Sequence, residues 1–588
     1  MLRHLSVKIP QFLLVAALLV SCSSGMVRKI AILETTDLHG VVFPYDYIEK
    51  KSLNASLANV STYFREAAKN SSLILLDNGD NLQGQPSVYY YNYIDTVSPH
   101  INSMVMNYIG FDAGTVGNHD IEAGHAVYDR LRKEYSFPLL AANAITKPGG
   151  EPYFEPYTII EKNGLRVAVL GLITPSVPDW LPPVLYSGME FDDMLKTAAK
   201  WMPLILENNP DIVVGLFHSG YSSPGKDAAG SDYYSENSSA AVAYNIPGFD
   251  VIFTGHDHKA VCEKMVNRLG DTVLILNAGS HAAKVARADI SVKSGGKKNK
   301  AIKRITGTLV EVSNYSPDKD LLAKFAKYDS TIRSYVSEVI GESSASISTR
   351  DSYFGSSAFV DMIHSLQLEI TDADISFAAP LSFDVKIEKG PLTVGDMFKI
   401  YRFENMLYTI ELKGYEVDRY LEYSYSGWFN TMKSPSDHLI NFRTGNDGKV
   451  MLTGGKARLR NQFYNFDSAA GIEYTVDVSK PAFNRVNIIS LSGGKAFANN
   501  STYLVAVNSY RGSGGGGHLT SGVSLSREEL AARLRYSTVR DLRYYIMETI
   551  RKKHTISPEP LNNWKIIPED RAKKAVIKDY RLMFGEDK

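Results

Sequence analysis

One pattern recurs five times in the first half of the chain: a short apolar run ends in Asp, Asn or His. The first run, residues 28–33, leads into Asp37 and His39. Alternate side chains of an extended segment share a face, so these two point the same way. The four later runs end in similar residues: Asp77, Asn78 and Asp80; Asn118, His119 and Asp120; His218; and His256, Asp257 and His258. Such runs predict buried strands, and open α/β sheets collect ligands beyond the carboxyl ends of their strands. The sequence therefore predicts an α/β fold with a polar site at a sheet edge.

Length and charge narrow the classes of protein that fit this pattern. At 588 residues the chain is long enough for more than one domain. Its 64 basic and 64 acidic residues balance, which argues against a nucleic-acid polymer as the main partner. Strand and helix patterns alternate from residue 27 to 315, whereas the second half mixes helices, strands and glycine-rich turns.

We divide the chain accordingly into five segments. They are a lipoprotein signal peptide at 1–22, a first α/β domain at 27–315, a linker helix at 316–340, a second α+β domain at 341–545 and a C-terminal tail at 546–588. The linker helix is predicted because apolar side chains such as Leu321, Phe325 and Ile332 recur at helical spacing.

The N-terminus has the pattern of an export signal. Basic residues precede the apolar run at 12–20, which is too short to span a bilayer and fits a signal-peptide core. The run ends at Leu19-Val20-Ser21-Cys22, which resembles the bacterial lipobox, whose cysteine is lipidated after cleavage. We therefore expect an exported bacterial lipoprotein, periplasmic or at the cell surface, held to the membrane through Cys22. A plain signal peptide with an incidental cysteine is the alternative.

Seven side chains at the strand ends are candidate metal ligands: Asp37, His39, Asp80, Asn118, His218, His256 and His258. So many nitrogen and oxygen ligands exceed the needs of one tetrahedral ion. They suit two divalent ions that share a carboxylate, with Asp80 as the bridge. No thiolate is among them, so Zn²⁺, Mn²⁺ and Fe are all candidates. Two ions at bridging distance can hold a phosphoryl group, activate a water and stabilise the leaving oxygen.

The ordered motifs Asp-x-His, Gly-Asp, Gly-Asn-His-Asp, His and Gly-His-x-His resemble those of the calcineurin-like metallophosphoesterases. The resemblance implies that the first domain is a four-layer αββα sandwich. It also implies two ligand sets, with Asp37, His39, Asp80 and His258 on one ion and Asp80, Asn118, His218 and His256 on the other.

The same resemblance assigns a catalytic role to His119, which follows Asn118 directly. It makes His119 the residue that contacts phosphate and either stabilises the developing charge or assists the leaving oxygen. A carboxylate normally orients this histidine. Asp120 and Glu122 both lie near enough. Glu122 is the preferred partner, because it stands where the nucleotidase branch has one, and Asp120 is expected to support the site indirectly, behind the residues that contact the metal ions or substrate.

Two stretches of the second domain, residues 461–474 and 503–517, resemble the substrate-binding domain of the 5′-nucleotidase superfamily. In that superfamily two aromatic side chains clamp the base, and Phe466 and Tyr510 take those places here. The chain departs from typical 5′-nucleotidases at two positions. Asp384 stands where an Arg grips the 5′-phosphate, and Gly516 stands where an Asp is thought to bind ribose. The stretches instead resemble the 2′,3′-cyclic-nucleotide 2′-phosphodiesterase/3′-nucleotidase branch.

The resemblance implies metal-dependent hydrolysis of nucleotide phosphoesters, first of 2′,3′-cyclic nucleotides and then of 3′-nucleotides. A 5′-nucleotidase or a nucleotide-sugar hydrolase is the alternative. A nucleotide-binding lipoprotein with an inactive catalytic domain belongs to a different class, and the complete ligand set argues against it.

Overall fold

A computed structural model describes residues 27–222, 236–293 and 302–586. The predicted signal peptide, with Cys22, lies outside the described residues. Within the described ranges, no helix combines the length and the apolar character needed to cross a membrane.

Two six-stranded sheets form the first domain, and each contains four mutually parallel strands. The spatial order in the first sheet is Ile302–Glu311, Lys284–Lys293, Val27–Thr35, Leu73–Asp77, Ala113–Thr115 and Leu139–Leu140. The order in the second sheet is Val261–Val266, Thr272–Asn277, Val251–Thr254, Ile212–His218, Leu165–Ile173 and Tyr157–Lys162.

The two sheets pack face to face because both present apolar side chains to one shared core, which includes Ile32, Leu76, Val214 and Phe253. Helices cover the outer face of each sheet. They are Leu57–Ala68, Ile101–Ile109 and Lys319–Ser337 on the first sheet, and Met194–Glu207 and Ser239–Asn245 on the second. The layers therefore follow the order helix, sheet, sheet, helix, which confirms the predicted αββα sandwich.

Strand ends from both sheets meet at one edge of this sandwich. In the first sheet, Thr35 lies opposite Asp77 where their two parallel strands end. The next residue, Asn78, donates a side-chain hydrogen bond to the carbonyl of Phe217 in the second sheet (3.1 Å). The polar residues that follow these strands are thus brought to one place.

Helix Lys319–Ser337 occupies the segment predicted as a linker helix. Asp318 caps its start by accepting hydrogen bonds from the backbone N–H groups of Asp320 and Leu321. Its buried side chains, among them Phe325, belong to the core on the outer face of the first sheet. The helix is therefore packed on the first domain rather than free between the two.

A five-stranded mixed sheet forms the centre of the second domain. Its order is Ser468–Ala470, Ile375–Ala378, Thr502–Asn508, Met406–Lys413 and Leu534–Asp541. The longer helices of this domain are Ala358–Thr371, Val394–Ile400, Gly414–Trp428, Leu542–Lys553 and Glu569–Phe584. Strands and helices are not regularly alternated along the chain, in keeping with the predicted α+β class.

The prediction of a C-terminal tail at 546–588 was wrong. Helix Leu542–Lys553 crosses the predicted boundary, and strand Trp564–Ile567 pairs in parallel with Ile472–Asp477. The following helix buries Ala575 and Met583 in the main core of the second domain. The apolar side chains of this segment have partners that only the tertiary fold supplies.

The two domains contact each other through polar groups. Tyr89 of the first domain donates its hydroxyl hydrogen to Asp541 (2.9 Å), and its ring lies 4.8 Å from the guanidinium carbon of Arg543. Elsewhere, Arg527 of the second domain forms an ion pair with Asp179 of the first. These contacts place the second domain beside the strand-end edge of the sandwich.

Candidate active site

Three strand-end residues of the first domain form one candidate metal group. The ligand atoms of Asp37, His39 and His258 lie within 4.8 Å of one another. The Nε2 atoms of His39 and His258 are 3.0 Å apart, and His258 Nε2 lies 3.2 Å from Asp37 Oδ1. Two ring nitrogens and a carboxylate oxygen thus converge on one point.

A second candidate group lies beside the first. The ligand atoms of Asp80, His218 and His256 also lie within 4.8 Å of one another, with His218 Nε2 3.1 Å from Asp80 Oδ2. The side-chain oxygen of Asn118 is 2.8 Å from His256 Nδ1 and 3.3 Å from His218 Nε2. The structure therefore brings all seven predicted ligands together, in two groups.

Hydrogen bonds from the far side of each ring decide which nitrogen faces the site. His39 Nδ1 donates to the carbonyl of Gln83 (3.2 Å), and His218 Nδ1 donates to the carbonyl of Asn78 (2.6 Å). Both residues therefore present Nε2 as the ligand atom. His256 is reversed, because its Nε2 donates to Glu236 Oε1 (2.8 Å) and its Nδ1 faces Asn118.

The backbone around these residues is unusual. Five of the seven candidate ligands have φ between 47° and 72°, namely Asp37, His39, Asp80, His256 and His258. Residues other than glycine seldom adopt this left-handed conformation, and it concentrates at functional sites. Close packing adds to the constraint, since a Cβ at Gly117 would lie 2.1 Å from Asp80 Oδ1.

His119 points its ring into the same region. Its Nδ1 lies 2.5 Å from Glu122 Oε2, so the preferred partner does contact it, and its ring centroid is 5.5 Å from that of His39. Burial opposes the charged form of the ring, yet the carboxylates of Asp80 and Glu122 raise the pKa of His119 to about 10. These two carboxylates thus favour the protonated form of the ring.

Asp120 is not the carboxylate that orients His119; it has the indirect, supporting place that was expected for it. Its two carboxylate oxygens accept hydrogen bonds from the backbone N–H groups of Asp80, Asn81, Leu82 and Gly117, at 2.8 to 3.1 Å. Asp120 thus holds the loop that carries Asp80. The helix Asn118–Glu122 explains this, because its geometry turns residues 119 and 122 to one side and 120 to another.

A cleft of about 510 Å³ opens from this edge toward the second domain. The first domain contributes Asn118, His119, Glu122, Trp180, Leu181, Glu236 and His256, and the second contributes Leu381, Phe403, Asn405, Tyr464, Asn508, Tyr510 and Arg511. The predicted Tyr510 is thus in the cleft, together with a second tyrosine, Tyr464.

Phe466 is not in the cleft, so its prediction as a base-clamping residue was wrong. It is 1% exposed, and its ring stacks on Trp428 with centroids 5.0 Å apart. The short 3₁₀ turn Phe463–Asn465 precedes it and turns Tyr464, rather than Phe466, toward the cleft. Phe466 is instead an aromatic residue of the second domain's core.

Sequence reasoning missed Glu236, which holds His256 and lines the cleft. No local motif marks this residue, because its partner is 20 positions away and only the fold joins them. Tyr464 could have been found, since it lies two positions before Phe466 in the stretch that was singled out.

The residues present fit divalent cations. Asp37 and Asp80 are both fully buried. Burial opposes the ionisation of Asp80, yet the rings of His218 and His119 hold its pKa well below the ordinary value. Two buried carboxylates and four convergent imidazoles, with no thiolate, are a donor set that Zn²⁺, Mn²⁺ or Fe would accept. Asp37, His39 and His258 could hold one ion, and Asn118, His218 and His256 a second, with Asp80 between them.

Two family models match the chain. The calcineurin-like phosphoesterase family matches residues 30–260, and the C-terminal domain of 5′-nucleotidases matches residues 339–521. The first match contains all seven candidate ligands, and the second contains both cleft tyrosines. Each matched region thus contributes one side of the cleft.

Curated relatives agree with these matches. The trifunctional nucleotide phosphoesterase protein YfkN of Bacillus subtilis is 27% identical over 602 residues, which covers 92% of this chain and 39% of the relative. A 2′,3′-cyclic-nucleotide 2′-phosphodiesterase/3′-nucleotidase of Yersinia enterocolitica is 26% identical over 635 residues, which covers 94% of this chain and 90% of the relative.

A solved structure shows the same fold. A protein from Staphylococcus aureus, described as a 5′-nucleotidase, superposes with a TM-score of 0.73 at 20% sequence identity. The superposition covers 92% of this chain and 99% of the other. The family matches and the two ligand groups, rather than this superposition, lead to one conclusion: the chain is a metallophosphoesterase, with a calcineurin-like phosphoesterase domain at residues 30–260 and a 5′-nucleotidase C-terminal domain at residues 339–521.

Proposed function

We propose that this enzyme hydrolyses nucleotide phosphoesters, with 2′,3′-cyclic nucleotides as its best substrates and 3′-nucleotides next. The observation that carries the proposal is the cleft that joins His119 and two of the candidate ligands, Asn118 and His256, to Tyr464 and Tyr510. A cleft of about 510 Å³ is in the range of small-molecule sites. It can hold a phosphate at the ligand groups while the base stacks on the tyrosines.

The residues divide the reaction between them. When bound, two divalent ions would neutralise the phosphate and activate a water for in-line attack. Because Nδ1 of His119 is taken by Glu122, its Nε2–H is the donor left for a phosphate oxygen or for the leaving oxygen. Glu236 and the carbonyls of Gln83 and Asn78 hold the ligand rings in place before substrate arrives.

The charges of the cleft support the preference for a cyclic phosphate. Asp384 pairs with Arg350 (2.5 Å) and is absent from the cleft lining, so no arginine at that position reaches a 5′-phosphate. A 5′-phosphate carries about −1.5 to −2 charge at pH 7, whereas a cyclic diester carries a single charge. Divalent ions held by the ligand groups, together with His119, would neutralise the diester without a further arginine.

A substrate panel tests this proposal. Purified, metal-loaded enzyme is assayed with 2′,3′-cyclic AMP, 3′-AMP, 5′-AMP and a nucleotide sugar under one set of conditions. We expect kcat/KM to be highest for the cyclic nucleotide. A higher kcat/KM for 5′-AMP or for the nucleotide sugar would instead identify one of the alternative functions. The match to the 5′-nucleotidase C-terminal domain is compatible with these alternatives as well.

We also propose that the enzyme is exported and anchored through lipidated Cys22. The support is the apolar run followed by Leu19-Val20-Ser21-Cys22. The full-length chain should fractionate with membranes and the Cys22→Ser variant should not. Membrane association that persists in Cys22→Ser would refute the anchor and leave the catalytic proposal untouched.

A further inference from the structure

Arg511 lies next to both tyrosines of the cleft, yet it is almost completely buried. Its side chain and that of Asp467 are each 2% exposed, and they form an ion pair with Nη2 2.8 Å from Oδ1. Asp467 is fixed in turn by the hydroxyl of Tyr420 (2.5 Å) and by two hydrogen bonds between its backbone and the Ser424 hydroxyl. Removal of one partner from such a buried pair is costly, because the other charge is left uncompensated.

The guanidinium of Arg511 uses all of its N–H groups within the protein. Nε donates to Asp467 Oδ2 (3.1 Å), and Nη1 donates to Asn465 Oδ1 (3.0 Å) and to the carbonyl of Gly515 (3.3 Å). Nη2 donates to the carbonyl of Tyr464 (2.6 Å) and to Asp467 Oδ1 (2.8 Å). A guanidinium has five N–H donors, so none is left for a phosphate.

These bonds connect Arg511 to both walls of the cleft. The bond to the Tyr464 carbonyl fixes the backbone of one wall. The guanidinium carbon lies 5.3 Å from the ring centroid of Tyr510, the other wall, within range of a cation–π contact. Gly515, which Arg511 also holds, packs so tightly that an added Cβ would lie 2.5 Å from Tyr510 Cε2. One group therefore sets the positions of both rings.

The same geometry accounts for Gly516. This residue has φ +72°, and an added Cβ would lie 2.1 Å from Arg511 Nη1 and 2.7 Å from Asn465 Oδ1. A side chain here would displace the guanidinium. Gly516, which stands where the resemblance places a ribose-binding Asp, is thus a requirement of the Arg511 arrangement.

We propose that Arg511, held by Asp467 and accommodated by Gly516, is a positioning residue for nucleobase binding. It fixes Tyr464 and Tyr510 as a preformed slot and makes no contact of its own with the phosphate. The base is therefore bound by stacking, which every base can offer. This inference rests on the proposed function, because it takes a base to be the group between the tyrosines.

The Arg511→Lys variant separates this role from phosphate binding. Lysine keeps the positive charge, but its single ammonium group cannot reproduce the hydrogen bonds of the planar guanidinium to Asn465, Gly515 and Tyr464 at once. We expect KM for 2′,3′-cyclic AMP to rise about tenfold, because the base would stack less well, with kcat within about twofold. Both constants for bis(p-nitrophenyl) phosphate, which has no nucleobase, should stay within about twofold.

Arg485→Lys is the matched control. Arg485 is an equally buried arginine of the second domain, and it bonds to the Phe429 carbonyl and the Thr431 hydroxyl rather than to the cleft. It should leave KM unchanged for both substrates. Gly516→Ala is a second route to the same test, in case Arg511→Lys does not fold, and it should also raise KM for the nucleotide alone.

The outcomes distinguish the two proposals. Unchanged nucleotide KM in Arg511→Lys and Gly516→Ala, or equal loss with both substrates, would overturn the positioning role while the proposed function stands. Wild-type enzyme that cleaves the aryl diester but no nucleotide would overturn the proposed function, and the positioning role with it.

Discussion

His119 is bonded on two sides, and each bond has a consequence for activity. Its backbone N–H donates to Asp80 Oδ1 (2.8 Å), which ties its position to the ligand groups. Its Nδ1 is paired with Glu122, and its pKa is raised to about 10 despite burial. A group that donates a proton is effective below its pKa, so the rate should fall as pH rises through that value.

Glu122→Gln tests this arrangement. Loss of the negative charge beside the ring lowers the pKa of His119, so the alkaline limb of the kcat–pH profile should move down by about one pH unit or more. The profile is measured with bis(p-nitrophenyl) phosphate. Asp129→Asn is the control, because it removes the charge of a carboxylate that pairs with a different histidine of the domain, His125 (3.2 Å). An unmoved limb in Glu122→Gln would contradict the role of Glu122.

Glu236→Gln tests the carboxylate that sequence reasoning missed. Its bond to Nε2 fixes the His256 ring so that Nδ1 faces the site. Changes to partners of ligating histidines typically cost about 10–100-fold in metal affinity or activity. We expect a loss of this size in a metal titration followed by activity. Glu263→Gln, on an edge strand where the carboxylate accepts a bond from Tyr221, is the control and should have no effect.

Individual ligands could be predicted because each follows a strand whose apolar pattern is clear. Side-chain direction beyond the strands was harder. Phe466 and Tyr464 are two residues apart, and in a regular strand they would share a face. The 3₁₀ turn Phe463–Asn465 instead directs Tyr464 to the cleft and Phe466 to the core. Such a turn leaves no sequence periodicity to read.

At the scale of elements, the loop that follows strand Leu73–Asp77 is held by hydrogen bonds to a different element of the first domain. Asp120, in the short helix Asn118–Glu122, accepts bonds from three consecutive N–H groups of that loop, at residues 80–82. One helix thus positions both His119 and, through Asp120, the proposed bridging carboxylate.

Asp120→Asn should destabilise this connection. Asparagine has one acceptor oxygen, and its NH₂ group would face backbone donors. Each buried donor left unsatisfied costs about 1–3 kcal/mol. We expect a lower free energy of unfolding and weaker metal binding, measured by denaturant unfolding and by metal titration. A variant as stable as wild type with unchanged metal affinity would show that the loop does not depend on Asp120.

The elements themselves were predictable to different degrees. The parallel strands that lead into the candidate ligands were recognised from their apolar runs, and helix Lys319–Ser337 from its spacing, whereas the two-residue strand Leu139–Leu140 was not. The C-terminal segment was misread because strand Trp564–Ile567 is four residues long and gains its partner, Ile472–Asp477, from about 90 positions away. Short strands with distant partners carry little local signal.

At the scale of the molecule, the cleft exists because the two domains meet. Tyr89 with Asp541 and Asp179 with Arg527 join them beside the ligand groups. The sequence predicted metal ligands in one domain and base-clamping aromatic residues in the other. The position of Glu236 in the cleft with the tyrosines, and the volume of that cleft, could not be predicted. Both depend on how the surfaces of the two domains are placed against each other.

We propose that two metal ions, which Asp80 would help to hold, supply the chemistry. The most direct measurement is the metal content per chain and the turnover of 2′,3′-cyclic AMP for wild type and Asp80→Asn, after chelation and reloading. The account predicts two equivalents of metal in wild type, and in Asp80→Asn a reduced content with turnover lowered by several orders of magnitude. Two equivalents of metal with near wild-type turnover in Asp80→Asn would contradict it.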